Sequence, residues 1–193
     1  MKKLYLDVET TGSHHWEHGI HQLSGEIHVN GVRDFFDYNI RPFGEDKVNP
    51  QALEVTNRSI QDLKGYPPAR EVWEELYSKL CLYVDPFDKT DKFYTYAYNA
   101  PFDESFFRKF CLKLDFLYFG AFFRSPLQCI MQKAFVVLGP ERAELPNVQL
   151  STVATHFGVE VDKERLHDSL YDVEITRKLD LKLDERLVKG LMQ

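Results

Sequence analysis

The dipeptide Asn30-Gly31, set between apolar-rich runs from Gly19 to Val29 and from Val32 to Ile40, constrains this chain more than any other feature. Asn-Gly is the strongest short signal for a two-residue hairpin turn, because both residues tolerate the positive φ that such a turn demands. The flanking runs are therefore antiparallel neighbours, and a third run from Leu4 to Val8 precedes them. An antiparallel meander is expected to open the fold.

The rest of the chain changes period. Asn49-Pro50 signals a short helix through about Val55, and Val72, Leu76, Leu80 and Val84 recur at helical spacing over Ala69 to Val84. Phe93 to Tyr98 reads as a fourth strand. Helices are expected over Ser105 to Leu112, Leu127 to Leu138 and Ser169 to Leu187, while the aromatic run Phe116 to Phe123 fits either element. A meander followed by helix, strand and further helices predicts an α/β fold, a mixed sheet of about five strands flanked by helices. With 193 residues, 44% of them hydrophobic, and no linker rich in Gly, Ser or Pro, a single domain over 1–193 is expected.

Within the first strand lies Leu6-Asp7-Val8-Glu9-Thr10-Thr11-Gly12. Side chains alternate across a strand, so Asp7 and Glu9 share one face about 7 Å apart while Leu4, Leu6 and Val8 share the other. Two carboxylates on one rigid edge invite a divalent cation. A second acid-x-acid triplet, Asp172-Val173-Glu174, lies in a helical pattern, where residues two apart diverge by about 200° and cannot hold one ion together. Among 30 acidic residues such triplets arise by chance, so the first pair alone stands equally well for a solvated strand end.

Charge and cysteines narrow the classes. A net charge of −6 argues against a broad basic grip on nucleic acid, yet carboxylates that hold cations leave a near-neutral site at which metals meet phosphate. Cys81, Cys111 and Cys129 form no C-x-x-C pair and suggest neither a disulfide framework nor a thiolate zinc site. No apolar run approaches the ~20 residues of a membrane span, and acids interrupt any signal-peptide core. A soluble, cytoplasmic protein is expected.

Two later segments carry candidate chemistry. Tyr98-Asn99-Ala100-Pro101-Phe102-Asp103 falls at the C-terminal end of the fourth strand, where ligands gather in such sheets, although Asp103 also suits a helix N-cap. His167-Asp168-Ser169-Leu170-Tyr171-Asp172 opens the last helix, and its His and Asp also suit ordinary surface positions. The loop from Ser13 to His21 holds His14, His15, Trp16, His18 and His21 and reads foremost as solvated, with an adventitious metal or a nucleic-acid contact through Trp16 as alternatives.

Taken together, LDVETTG, YNAPFDESFF and HDSLYD resemble in order and spacing the three motifs of the DnaQ-like 3′-to-5′ exonucleases, a ribonuclease H-like superfamily with an Asp-Glu-Asp-Asp tetrad and a histidine. The similarity spans nearly the whole chain. Two positions depart from the usual pattern, Tyr98 in place of His and Ser169 in place of Ala, and neither removes a ligand.

The resemblance implies that Asp7, Glu9, Asp103 and Asp172 hold two Mg²⁺ or Mn²⁺ ions, the hard cations that oxygen ligands suit. Asp7, Glu9 and Asp172 would hold the ion nearer the attacking water, Asp7 bridging to the second and Asp103 acting through bound water. His167 would be the general base, since imidazole, with a reference pKa near 6.5, can be neutral at working pH. Thr10, Thr11, Asn99 and Phe102 would meet the terminal nucleotide, the turn at Glu9 to Thr11 through its backbone and Phe102 as an apolar wall. The implied substrate is the 3′ end of single-stranded or frayed DNA, released as nucleoside 5′-monophosphates in repair or beside a DNA polymerase in proofreading. An exoribonuclease on the same scaffold is the nearer alternative. A non-catalytic nucleic-acid or polymerase-binding module is the more distant one, since it has no need of five mutually repelling or titrating groups in one place.

Overall fold

The computed structural model describes residues 1–191. Three antiparallel strands, β1 (Lys2–Thr10), β2 (Ile20–Val29) and β3 (Val32–Asn39), form the expected meander, and Asn30 and Gly31 take φ of 52° and 81° in its turn. Three helices follow: α1 (Pro50–Val55), α2 (Ile60–Gly65) and α3 (Ala69–Cys81). They return the chain to β4 (Phe93–Ala97), which lies parallel to β1. Then come α4 (Ala100–Lys113), β5 (Phe123–Cys129), α5 (Ile130–Leu138), α6 (Leu150–His156) and α7 (Ser169–Leu191). The five-stranded sheet runs β3-β2-β1-β4-β5.

Two elements depart from expectation. The segment 123–129 is a strand, although a helix was expected from Leu127 onward. Leu127, Ile130, Ala134 and Leu138 are all buried and mimic one helical stripe, but Leu127 is buried from the sheet. Pro126 is tolerated there because, among the described residues, β5 pairs only with β4 at the edge of the sheet. The short helix α2 was not anticipated; a capping box fixes it, Ser59 Oγ accepting from Asp62 N–H while the Asp62 carboxylate accepts from Ser59 N–H.

The sheet has two unlike faces. Leu4, Leu6 and Val8 of β1 and Leu23 and Ile27 of β2 lie in the main core with Val72, Trp73, Leu76 and Leu80 of α3 and Phe106, Phe107 and Phe110 of α4. The opposite face carries Tyr5, Asp7 and Glu9 with their cross-strand partners Glu26, Ser24 and Gln22, and α7 lies across it. Its contacts are largely polar. Arg177 Nε donates to Glu26 Oε2 (3.0 Å) and Tyr5 Oη donates to Asp180 Oδ2 (2.6 Å). Lys133 of α5 adds a 2.6 Å bond to Asp180 Oδ1.

Glu26 anchors this layer. It is fully buried, and Arg33 Nη2 (2.5 Å), Arg177 and His28 Nε2 (2.5 Å) converge on it. Removing one member of a buried charge network strands the others without partners. Glu26→Ala is expected to lower stability by about 3 kcal/mol in urea unfolding, more than a surface charge deletion would. A loss under ~1 kcal/mol would mean that solvent already screens the network.

Candidate active site

Three secondary-structure boundaries bring the carboxylates together. Asp7 and Glu9 project from β1 toward α7, held in register by the pairing of Asp7 with Ser24 and Glu9 with Gln22. A bulge between Glu9 and Thr10 ends that register. β4 is parallel to β1, so its C-terminal turn delivers α4 to the same end of the sheet. Asn99 occupies the N-cap of α4 without a side-chain capping bond, and Asp103 lies inside the first turn. The N-cap role weighed for Asp103 is therefore not what the structure shows. Its buried carboxylate instead accepts from Val8 N–H (Oδ1, 3.3 Å), tying α4 to the strand between the two acids.

The third boundary is the start of α7. Asp168 caps this helix, its Oδ1 accepting from Tyr171 N–H (3.0 Å), and its carbonyl accepts from Asp172 N–H (2.9 Å). Just before the cap, His167 takes a φ of 66°, which turns the chain sharply at an exposed position. Ser169, fully buried, donates from Oγ to the carbonyl of Asp7 (3.0 Å) and so fastens α7 to β1 beside the acids. One donor atom from each of Glu9, His167 and Asp172 lies within 4.8 Å of the others.

Electrostatics mark the same group. Burial raises all four carboxyls above the ordinary range: Glu9 and Asp103 to about 8 and Asp172 to about 7. Asp7 is also pushed well up, by burial first and then by the charges of Asp103, Glu9 and Asp172. Arg58 opposes this weakly at Glu9. Asp172 Oδ1 is buried and has no hydrogen-bond partner. An orphaned oxygen among mutually repelling carboxylates fits a divalent cation, which would supply the missing partner and relieve the repulsion.

The expected nucleotide contacts divide. Asn99 is exposed and Phe102, one residue before Asp103, is half-buried against Phe106 (ring centroids 4.8 Å apart). Thr10 is buried and donates to the Gly12 carbonyl (2.8 Å). Thr11 is engaged within the loop. Its hydroxyl donates to the Lys47 carbonyl (2.7 Å) and accepts from Gly19 N–H, its own N–H donates to the Gly19 carbonyl (2.9 Å), and its carbonyl accepts from Asn49 N–H. Fully buried and bonded to three segments, it shapes the loop beside the acids.

The sequence placed Asp168 and Ser169 in the third motif without a role for either, and Arg58 near Glu9 was missed. An acid three residues before Tyr171 carries an N-cap signal that identifies Asp168. Nothing in the sequence pointed Arg58 at the carboxylates. The histidines of the loop disperse: His21 is buried in β2, His14 and His18 bond to each other's neighbourhood, and among the described residues they form no metal-ligating group.

Residues 4–179 match the protein family RNase_T, described as Exonuclease. No curated protein sequence matches the chain at a significant level. Among solved structures, E. coli Exonuclease I in complex with a dT13 oligonucleotide is similar over 99% of this chain and 43% of its own, with TM-score 0.73 and 18% identity. The zinc-bound form of the E. coli Exonuclease I–ssDNA complex is similar over 99% and 42%, with TM-score 0.73 and 18% identity. A moderately thermophilic Exonuclease I from Methylocaldum szegediense is similar over 94% and 40%, with TM-score 0.71 and 19% identity. The chain thus spans less than half the length of these relatives, and at such identities the likeness concerns the fold.

Proposed function

Because this chain belongs to the RNase_T exonuclease family, we propose that it hydrolyses phosphodiester bonds at the 3′ end of single-stranded DNA, one nucleotide at a time, with divalent cations. The observation that carries this reading is the convergence of Asp7, Glu9, Asp103 and Asp172 at one end of the sheet, with His167 beside two of them. Ligand-free, this arrangement is unfavourable. A group of raised, repelling carboxylates is retained where a function uses it. The binding of oligonucleotides by the structural relatives supports the choice of substrate.

Asp7, Glu9, Asp103 and Asp172 would hold the cations, Mg²⁺ or Mn²⁺ by the hardness of their oxygens. Bound there, such ions neutralise charge on the nonbridging and departing phosphate oxygens and acidify a water. The remaining work belongs to the chain. His167 takes the attacking water's proton at a ring nitrogen as the water oxygen bonds to phosphorus and the P–O3′ bond breaks; the departing 3′-oxyanion takes a proton from solvent, so the shortened chain keeps a 3′-hydroxyl and a nucleoside 5′-monophosphate is released. Val8 N–H and Ser169 Oγ fix Asp103 and the Asp7 backbone, so that the carboxylates need not reorganise during the reaction. Asn99 and Phe102 lie at the start of α4 with Asp103, where the terminal nucleotide would sit.

The test is a 5′-labelled single strand of mixed sequence, as DNA and as RNA, incubated in Mg²⁺, Mn²⁺ or EDTA. A ladder that shortens from the 3′ end, requires metal and prefers DNA supports the proposal. Shortening of RNA alone would transfer it to an exoribonuclease, and no degradation of either would remove it.

A further inference from the structure

From the edge of the site an aromatic strip leads outward along α4. Phe102, the residue before Asp103, touches Phe106 one turn on; His15 lies edge-on to Phe106 (centroids 6.1 Å apart); Trp16 lies beside His15 (4.7 Å). Trp16 is 69% exposed, which is unusual for the largest apolar side chain and demands a reason. Lys109, on the next turn of α4, sets its ammonium 4.6 Å from the centre of the Trp16 ring. Six residues separate Lys109 from Asp103, about 9 Å along the helix axis. The strip therefore ends within a nucleotide or two of the carboxylates.

The loop that presents Trp16 is built to hold it there. Glu17 and His18 N–H groups both donate to the His14 carbonyl (2.9 Å each), closing a tight turn. Gly12 allows that turn to fold back, since a Cβ there would run into the His18 ring. The neighbouring acids are already engaged, Glu17 with Lys47 (3.2 Å) and Asp46 with Lys113. Among the described residues no carboxylate forms an ion pair with Lys109. An exposed indole with a cation over its face is the pairing that single-stranded nucleic acid recognises, a ring for a base and a charge for the adjoining phosphate.

We propose that Trp16 and Lys109 form a second nucleotide subsite, upstream of the terminal one, in which a base stacks on the indole and Lys109 turns from the ring to the phosphate. This rests on the exonuclease reading of the carboxylate site. It adds that the chain grips its strand at two points, one at the carboxylates and one on the loop, and that the second grip is indifferent to base identity because every base has a stackable face.

Two substrates separate this subsite from the reaction itself: a long single-stranded oligonucleotide, which spans both points, and the 4-nitrophenyl ester of thymidine 5′-monophosphate, which can occupy only the first. Trp16→Ala is expected to lower the ratio of kcat/KM for the oligonucleotide to that for the ester at least tenfold, and Trp16→Phe to restore most of it. Lys109→Gln should flatten the dependence of log affinity on log salt by about 0.7. A ratio within twofold of wild type in Trp16→Ala, in protein of unchanged circular dichroism, overturns the subsite while leaving the exonuclease standing. If wild type hydrolyses neither substrate, the exonuclease reading fails and fluorescence decides the subsite. Trp73 is buried, so quenching by the oligonucleotide that disappears in Trp16→Phe supports stacking. Absence of quenching, or self-association through Trp16 instead, overturns it.

Discussion

Asp7→Asn is expected to abolish hydrolysis and, in the same molecule, to stabilise the metal-free fold at neutral pH. The two effects have one cause. Asp7 is surrounded by Asp103, Glu9 and Asp172, and burial lifts all four carboxyls. A carboxyl whose pKa is higher folded than unfolded contributes stability below its unfolded value near 4, and that contribution disappears as pH rises through the folded value. In the folded protein Glu9, Asp103 and Asp172 are raised to about 8, 8 and 7, so metal-free protein should lose Tm steadily between about pH 4 and 8. An amide at position 7 removes one charge from the set without changing its shape.

Metal-free Asp7→Asn should therefore melt higher than wild type at pH 8, by about 2–4 °C for each kcal/mol relieved, and the gap should close at pH 4. Saturating Mg²⁺ should raise the wild-type Tm at pH 8, about 2.7 kcal/mol being available at a hundredfold excess over Kd, and should leave the variant unmoved. Activity should fall by at least about 10³, roughly 4 kcal/mol of transition-state stabilisation. Scanning calorimetry across pH with and without Mg²⁺, run beside the hydrolysis assay, checks all of this. A variant less stable than wild type at pH 8 would show that Asp7 makes a favourable bond outweighing the repulsion.

Repulsion of this kind needs a rigid frame, and α7 provides it midway along its length. Asp180, bonded by Tyr5 and Lys133, and Arg177, bonded to Glu26, fasten the helix to the sheet face that carries Asp7 and Glu9. The near end, with Asp172, is thereby held against carboxylates it would otherwise avoid. That division explains why the layer under α7 is polar where most sheet–helix layers are apolar. Deletion of Asp180 or Glu26 should loosen the site without touching it.

The parts of this architecture that were legible in the sequence are those dictated locally. Asn30-Gly31 set the meander through backbone preference, and the period of two in Leu4 to Val8 separated the acidic face from the apolar one before any partner was known. The motif order LDVETTG, YNAPFDESFF, HDSLYD placed three strand and helix boundaries in one family pattern, and the structure brings those boundaries together. What was not legible depends on contacts between distant segments. β5 is a strand because the β4 edge accepts it, and from Leu127 its last residues continue the apolar stripe of the helix that follows. Thr11 is occupied by Gly19, Lys47 and Asn49, partners that no local pattern names. Ser169 likewise meets the Asp7 carbonyl across more than 160 positions.

His167→Ala and His167→Asn together should separate the ring's chemistry from the backbone's geometry. At φ 66° an alanine carries a steric cost of about 1 kcal/mol, whereas asparagine adopts this left-handed region readily. Alanine should therefore lower stability slightly and asparagine hardly at all, while both lack the proton acceptor. If the imidazole acts on water, kcat should fall about 10² to 10⁴ in both variants, the Mg²⁺-induced rise in Tm should persist, and added imidazole should restore part of the rate. The alternative is specific, because Glu9, His167 and Asp172 offer three donor atoms within 4.8 Å of one another, a spacing that also suits direct ligation. In that case both variants would need at least tenfold more Mg²⁺ for half-maximal stabilisation, and external imidazole would not restore the rate. Hard oxygen ligands suffice for Mg²⁺ and Mn²⁺, and His167 is the exposed member of the trio, free to meet water and substrate. Retained metal binding with a rescued rate is therefore the expected result.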